Sequence, residues 1–86
     1  MANIASQRKR IQRTERERQE NRRYTSSVRT SFRRLQAAVE ADDAEAAEAA
    51  FRMLSSRIDR AVRSGALHRN TGARKKSRGA RLRASL

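Results

Sequence analysis

The side chains in this sequence that can do chemistry are cations. Arg8-Lys9-Arg10, Arg13, Arg16, Arg18 and Arg22-Arg23 form one run, and Arg69, Arg74, Lys75, Lys76, Arg78, Arg81 and Arg83 form a second. Arg presents a planar fork of donors that bonds phosphate through two N–H groups at once and stacks on bases, which the point charge of Lys cannot do. Lysine occurs only at positions 9, 75 and 76. A GC-rich genome would favour Arg codons whatever the function, so the Arg bias is supportive and does not decide the matter. Placement says more. At helical spacing the first run falls on every side of a helix. A solvated outer face does not account for that, whereas a rod set between several anionic backbones does.

Other chemistries find no constellation. His68 is the lone histidine and sits beside Arg69 in a basic segment, where a polar contact or a cap is expected rather than a metal ligand or an acid–base role. The carboxylates gather in Glu40, Asp42, Asp43, Glu45 and Glu48, at a helix start where capping and dipole compensation explain them. There is no glycine loop to cradle phosphate and no nucleophile with a base partner. Cysteine is absent, which removes disulfides and Cys-based zinc sites and fits a reducing compartment. The expectation is a protein without enzymatic activity, cofactor, metal or small-molecule substrate.

The formal net charge is +13 and the isoelectric point is about 11.9. Self-repulsion opposes compaction at such a charge, so a polyanionic partner is the simplest reason to keep it, with nucleic acid ahead of an anionic membrane surface. Residues 1–34 carry eleven basic and three acidic side chains, residues 35–62 three and six, and residues 63–86 eight and none. An internal folding segment between two basic arms fits this division. No run of about 18 apolar residues exists to span a membrane. The segment Met1 to Arg10 is basic but lacks the apolar stretch and small-residue cleavage site of a secretory signal, so a cytoplasmic location is expected.

The elements that must position these cations are helices. With no Pro, three Gly and many Ala, Arg, Glu and Gln, the 86 residues read as one all-α domain, a three-helix bundle with a long, projecting basic first helix. Helix one is expected over about 6–40, helix two over about 43–64 and helix three over about 70–84. Tyr24, Val28, Phe32, Leu35 and Val39 make one helical stripe, and Ala47, Phe51, Leu54, Ile58 and Ala61, with Val62 beside them, make its partner. Between Ser6 and Arg23 the one large apolar residue is Ile11, so no core holds that half. Pairs such as Glu15 with Arg18 and Glu20 with Arg23 add only about 0.2–0.5 kcal/mol each, and the half is expected to order on its partner. Asp42 or Asp43 caps the second helix, and Asp42 with Glu45 has capping-box spacing. Gly65, just after Arg60 and Arg63, suits its end.

Helix three has meagre apolar content in Ala73, Ala80, Leu82 and Leu86, with Leu67 anchoring the connection. Gly72 and Gly79 each cost it about 1 kcal/mol relative to Ala. A helix of about 35 residues is roughly 50 Å long and one of about 20 residues roughly 30 Å, so the basic first half projects beyond the bundle.

RNA is favoured over DNA. A DNA reader usually sets a recognition helix in the major groove from a symmetric dimer, and no zipper follows the basic region here. RNA offers irregular, closely packed backbones that a basic helix can thread between. Tyr24, Phe32 and Phe51 are too few for a base-stacking sheet platform. A DNA-compacting basic helix is the first rival. A membrane-surface helix is the second, and the first half lacks the apolar face it requires.

The order and spacing of several short motifs then become informative. Met1-Ala2-Asn3-Ile4-Ala5-Ser6 is followed by Lys9-Arg10, Asn21-Arg22-Arg23, Ser27, Arg29-Thr30 and Ala47 to Phe51. Near the other end stand Gly65, Leu67-His68-Arg69-Asn70, Ala73-Arg74 and Lys76-Ser77-Arg78. In these the whole chain resembles the bacterial family of small-subunit ribosomal protein number twenty. The resemblance implies a three-helix bundle with an extended first helix, and direct binding to small-subunit ribosomal RNA, chiefly its 5′ domain, with contact to the long penultimate stem. It also implies an early role in subunit assembly. The family pattern has Leu after the Lys-Ser-Arg of helix three where this chain has Gly79, which points to weaker docking of that helix.

On this reading the partner is small-subunit ribosomal RNA, with other ribosomal proteins only at the periphery, no membrane, and a single copy of the chain in the ribosome. The cations of both runs, with Arg29 and His68, meet the RNA. Asn3, Ser6, Asn21, Ser27, Thr30, Asn70 and Ser77 add hydrogen bonds to its backbone or bases.

Overall fold

The computed structural model describes residues 4–86, which form three helices, α1 (Ile4–Glu40), α2 (Ala44–Arg63) and α3 (Arg69–Ala84). Among the described residues there is no strand. The two apolar stripes read from the sequence close α1 on α2. Leu35, Leu54 and Ile58 are the largest side chains fully removed from solvent, and Val28, Ala47 and Ala61 are buried with them. Tyr24, Phe32, Val39, Phe51 and Val62 pack at the margins of this core and keep part of their surface exposed. Ser31 is also buried, at a seam position three after Val28 and four before Leu35, where hydropathy gives no reason to expect it.

The connections are built from backbone hydrogen bonds. Asp42 takes a left-handed conformation, φ 58°. Its N–H donates to Val39 O at 3.0 Å, and the N–H of Asp43 donates to Ala38 O at 3.0 Å. This pair of bonds satisfies the last carbonyls of α1. The same Asp43 opens α2, its Oδ1 accepting from the Ala46 N–H at 3.1 Å. One residue therefore closes one helix and caps the next, and the Asp42–Glu45 capping box does not form, because Asp42 is consumed by the turn. The exit from α2 repeats the design at Gly65, φ 84°. Gly65 N–H donates to Val62 O at 3.1 Å and Ala66 N–H to Ala61 O at 2.9 Å. Leu67 then packs on the core, and His68 caps α3, its Nδ1 accepting from the Asn70 N–H at 3.1 Å.

The docking of α3 corrects the expectation drawn from its glycines. Gly72 and Gly79 are its buried residues. A Cβ built on Gly72 would lie 2.6 Å from Val62 Cγ2, and one on Gly79 would lie 2.8 Å from Leu54 Cδ2. Two turns apart on one face, these glycines let the backbone of α3 settle directly onto α2, so the residues counted as liabilities are the packing surface. The apolar residues counted in their place are less covered: Ala73 and Leu86 are exposed, and Ala80 and Leu82 are half-buried.

Rising along α3, Gly72 meets Val62 and Ile58, Lys76 pairs with Asp59, Gly79 meets Leu54 and Phe51, and Arg83 reaches Glu48 at 2.9 Å. The two helices are thus antiparallel, and α3 runs in the same direction as α1.

The result is a rod. The radius of gyration is 17.2 Å, against about 12 Å for a compact chain of this length. The principal extents are 63 × 21 × 13 Å. At about 1.5 Å per residue, α1 is roughly 55 Å long and α2 roughly 30 Å. Every residue of α1 from Ile4 to Glu20 is exposed. Among the described residues no helix is long and apolar enough to cross a membrane.

Candidate nucleic-acid interface

The first group of candidate residues lies on the uncovered half of α1. Ser6, Arg8, Lys9, Arg10, Arg13, Arg16 and Arg18 are all exposed there, and Asn3 lies outside the described residues. The expected pairs Glu15–Arg18 and Glu20–Arg23 do not form. In their place Arg13 Nε lies 3.7 Å from Glu17 Oε1, both side chains mostly in solvent. Such exposed pairs contribute at most a few tenths of a kcal/mol. The Arg-before-Glu order is also the less favourable one for the helix dipole. Among the described residues, the remaining cations of this half carry no carboxylate partner. Their charge is uncompensated on every side of the rod.

Where α1 enters the bundle, two concavities flank it. One lies between α1 and α3, with a volume of about 380 Å³. Val28, Phe32 and Leu67 form its apolar part, Arg29, Arg33, Lys75 and Arg78 surround them, and Thr25 and Gln36 complete the lining. The Arg78 guanidinium stands 5.1 Å from the centroid of the Phe32 ring, within the range where a cation is held by a ring face. The other concavity, about 390 Å³, lies between α1 and α2 and is lined by Glu20, Arg23, Tyr24, Ser27, Arg57 and Arg60. Asn21 and Ser27 are half-buried, while Arg22, Arg29 and Thr30 are exposed.

Arg33, Gln36, Arg57 and Arg60 escaped the sequence reading. Their signal was faint but present. Arg57 and Arg60 each stand one residue before a seam position, and Arg33 follows Arg29 by one helical turn. Residues that flank a buried stripe border whatever grooves the helices leave.

On α3 the cations divide by role. Arg69, Asn70, Arg74, Ser77, Arg78 and Arg81 are exposed, and Lys75 is half-buried at the α1–α3 groove. Lys76 is ion-paired to Asp59. Arg83 donates to Glu48 at 2.9 Å and lies 4.6 Å from the Phe51 ring centroid. These two fasten α3 to α2. His68 is engaged as a cap through Nδ1, which leaves Nε2 as the ring donor. The candidate residues therefore do not form one patch. They spread from the rod along α1 to the flank of the bundle, the concavity at Arg18, Asn21 and Arg22 sharing Thr25 with the α1–α3 groove. Among the described residues no group of His, Cys, Asp or Glu is arranged to hold a metal ion.

Comparison with known proteins adds an independent line. Residues 2–83 match the model of the family described as Ribosomal protein S20. The chain is 51% identical over 77 residues to the small ribosomal subunit protein bS20 of Corynebacterium diphtheriae, covering 90% of this chain and 88% of that protein. It is 47% identical over 77 residues to the protein of the same name from Kocuria rhizophila, with 90% of each chain covered. It is 44% identical over 77 residues to that of Beutenbergia cavernae, again with 90% of each covered.

Proposed function

This chain belongs to the ribosomal protein S20 family, and we propose that, as a constituent of the small ribosomal subunit, it binds small-subunit ribosomal RNA directly and stabilises the folding of that RNA, chiefly its 5′ domain, during assembly. The observation that carries this reading is the first half of α1: exposed from Ile4 to Glu20, basic on every side, and with no surface of its own chain to rest on.

Residues 1–86 act as one RNA-binding unit in the cytoplasm. The α1–α2 seam sets the direction of the rod, and the glycine contact of α3 sets its outer cations beside it. Arg8, Lys9, Arg10, Arg13, Arg16, Arg18, Arg22 and Arg23 neutralise phosphates where RNA segments converge, releasing condensed counterions. Arg29, Arg69, Arg74, Lys75, Arg78 and Arg81 do the same along the bundle flank. Asn3, Ser6, Asn21, Ser27, Thr30, Asn70 and Ser77 supply directional hydrogen bonds that fix register. His68 and Lys76 serve this indirectly, by starting α3 and pinning it. The role is structural, with one copy per subunit and other ribosomal proteins at the periphery.

The test is binding to a transcript of the 5′ domain of small-subunit ribosomal RNA across a salt series, with excess transfer RNA and matched duplex DNA as competitors. Tight binding that resists both competitors is the expected result. Equal competition by every polyanion, with affinity set by salt alone, would leave a generic basic protein and bring the DNA-compacting alternative forward.

A further inference from the structure

We propose that the groove between α1 and α3 receives a single unpaired nucleotide of the bound RNA, its base against Phe32 and its phosphate on the surrounding cations. This rests on the RNA-binding reading and adds to it a site for one base.

Phe32 is one of three aromatic residues in the chain. Three positions further along α1, Leu35 is fully buried, yet Phe32 keeps part of its surface in a groove of about 380 Å³ beside Val28 and Leu67. The rim holds Arg29, Arg33, Lys75 and Arg78 and no carboxylate. On the opposite side of α3 the cations are answered from within the chain, Lys76 by Asp59 and Arg83 by Glu48. Two of the cations where α3 meets α2 thus have carboxylate partners, and none of those that rim the groove facing α1 does. The occupant that matches is an anion with a flat apolar part, and an unpaired nucleotide is both.

The groove also holds groups that a base can use. Arg78 lies over the Phe32 ring at 5.1 Å from its centroid, so an aromatic ring and a guanidinium, the two kinds of group on which bases stack, stand together there. Bases in single-stranded RNA are held by stacking of this kind. Gln36 lines the same groove, and its amide offers a donor and an acceptor to a base edge. An acidic protein segment would satisfy the rim and leave the stacking planes unused. The α1–α2 concavity is a poorer match, because Glu20 is part of its wall.

The experiment uses the full chain bound to the 5′-domain transcript. The complex is irradiated with ultraviolet light, nucleotide-bearing peptides are located by mass spectrometry, and binding is measured over salt for Phe32→Leu, Gln36→Ala and the pair Arg29→Gln with Arg33→Gln. Base stacking contributes about 1–3 kcal/mol per base, so Phe32→Leu is expected to weaken binding on the order of tenfold. Its salt dependence should match the parent chain, since no charge is removed. Gln36→Ala should weaken binding with an unchanged unfolding curve, which guards against a folding defect in Phe32→Leu. Cross-links should fall on the peptide containing Phe32. If both variants bind like the parent while the arginine pair weakens binding and flattens its salt dependence, the groove holds phosphates only and the proposal is overturned, the RNA reading standing. Intact RNA binding with no cross-link in the groove, together with parent-like binding by Phe32→Leu, would place the groove outside the RNA contact and overturn the nucleotide site in the same way. Failure of the parent chain to hold the transcript against competitors would remove the RNA reading and the nucleotide site together.

Discussion

Within α1, residues 4–20 are exposed throughout, whereas Val28, Ser31 and Leu35 are buried against the bundle. The hydrogen-bonded backbone is continuous across the two halves, and what surrounds it is not. Isolated helices in water are marginal, and most helical stability in proteins comes from packing an apolar face. The bundle half has that packing. The rod half has strong helix formers, one weak ion pair and an excess of positive charge. The contrast separates two ways of specifying one helix: its inner half is set by burial, and its outer half, on the proposed function, by what it binds.

Truncating the seam should have the largest effect. Leu54 is fully buried, and Leu54→Ala is expected to remove about 2–5 kcal/mol of stability, read by urea unfolding. Arg16→Ala, in the rod, should change the same measurement by less than about 0.5 kcal/mol. Equal losses at the two sites would erase the distinction between the halves.

Gly72→Ala comes next and sets two effects against each other. Alanine gains about 1 kcal/mol of helix propensity over Gly, but its Cβ would meet Val62 Cγ2 at 2.6 Å. Valine is stiff about χ1, and overpacking of this kind costs about 1–3 kcal/mol. A net loss of about 1 kcal/mol is expected, and a gain would show that α3 does not rest on α2 through its backbone.

Asp43→Ala should cost about 1 kcal/mol through loss of the α2 cap, whereas its neighbour behaves oppositely. Asp42→Gly relieves a left-handed strain and should stabilise by up to about 1 kcal/mol, both read by thermal unfolding. At the small end, Glu17→Gln in the rod should shift stability by less than about 0.5 kcal/mol, because the Arg13–Glu17 pair is exposed to solvent and salt. A larger loss would mean that ion pairs, and not propensity alone, hold the uncovered half.

The sequence made the α1–α2 seam and the basic rod legible for the same reason: both follow from periodicity along one helix. Large apolar residues in steps of three and four mark a buried face, and cations on all sides mark a rod, whatever else the chain does. What stayed hidden required the third helix to be set against the other two. Gly72 and Gly79 pack through the absence of a side chain, which leaves no trace in hydropathy, and the departure from Leu at position 79 therefore read as a weakness. Ser31 is buried because the seam passes over it, despite its polarity. The pairing of Lys76 with Asp59, and the groove between Arg33 and Arg78, depend on the register of α3, which no local pattern encodes. Among the candidate residues, spacing was enough to place those of the rod. It could not separate Lys76 and His68, which hold the fold, from Arg74 and Arg81, which face outward.

The three helices follow one another in space as they do in sequence, each joined to the next by a short connection. Chains whose contacts are this local fold in microseconds to milliseconds, while synthesis proceeds at about 5–20 residues per second. At that rate the last residue of α1 is joined on the order of a second or more before α2 is complete. The seam cannot close until α2 has been made and has left the site of synthesis, so translation, and not the folding step, sets its pace, and the inner face of α1 waits in solution for the helix that covers it.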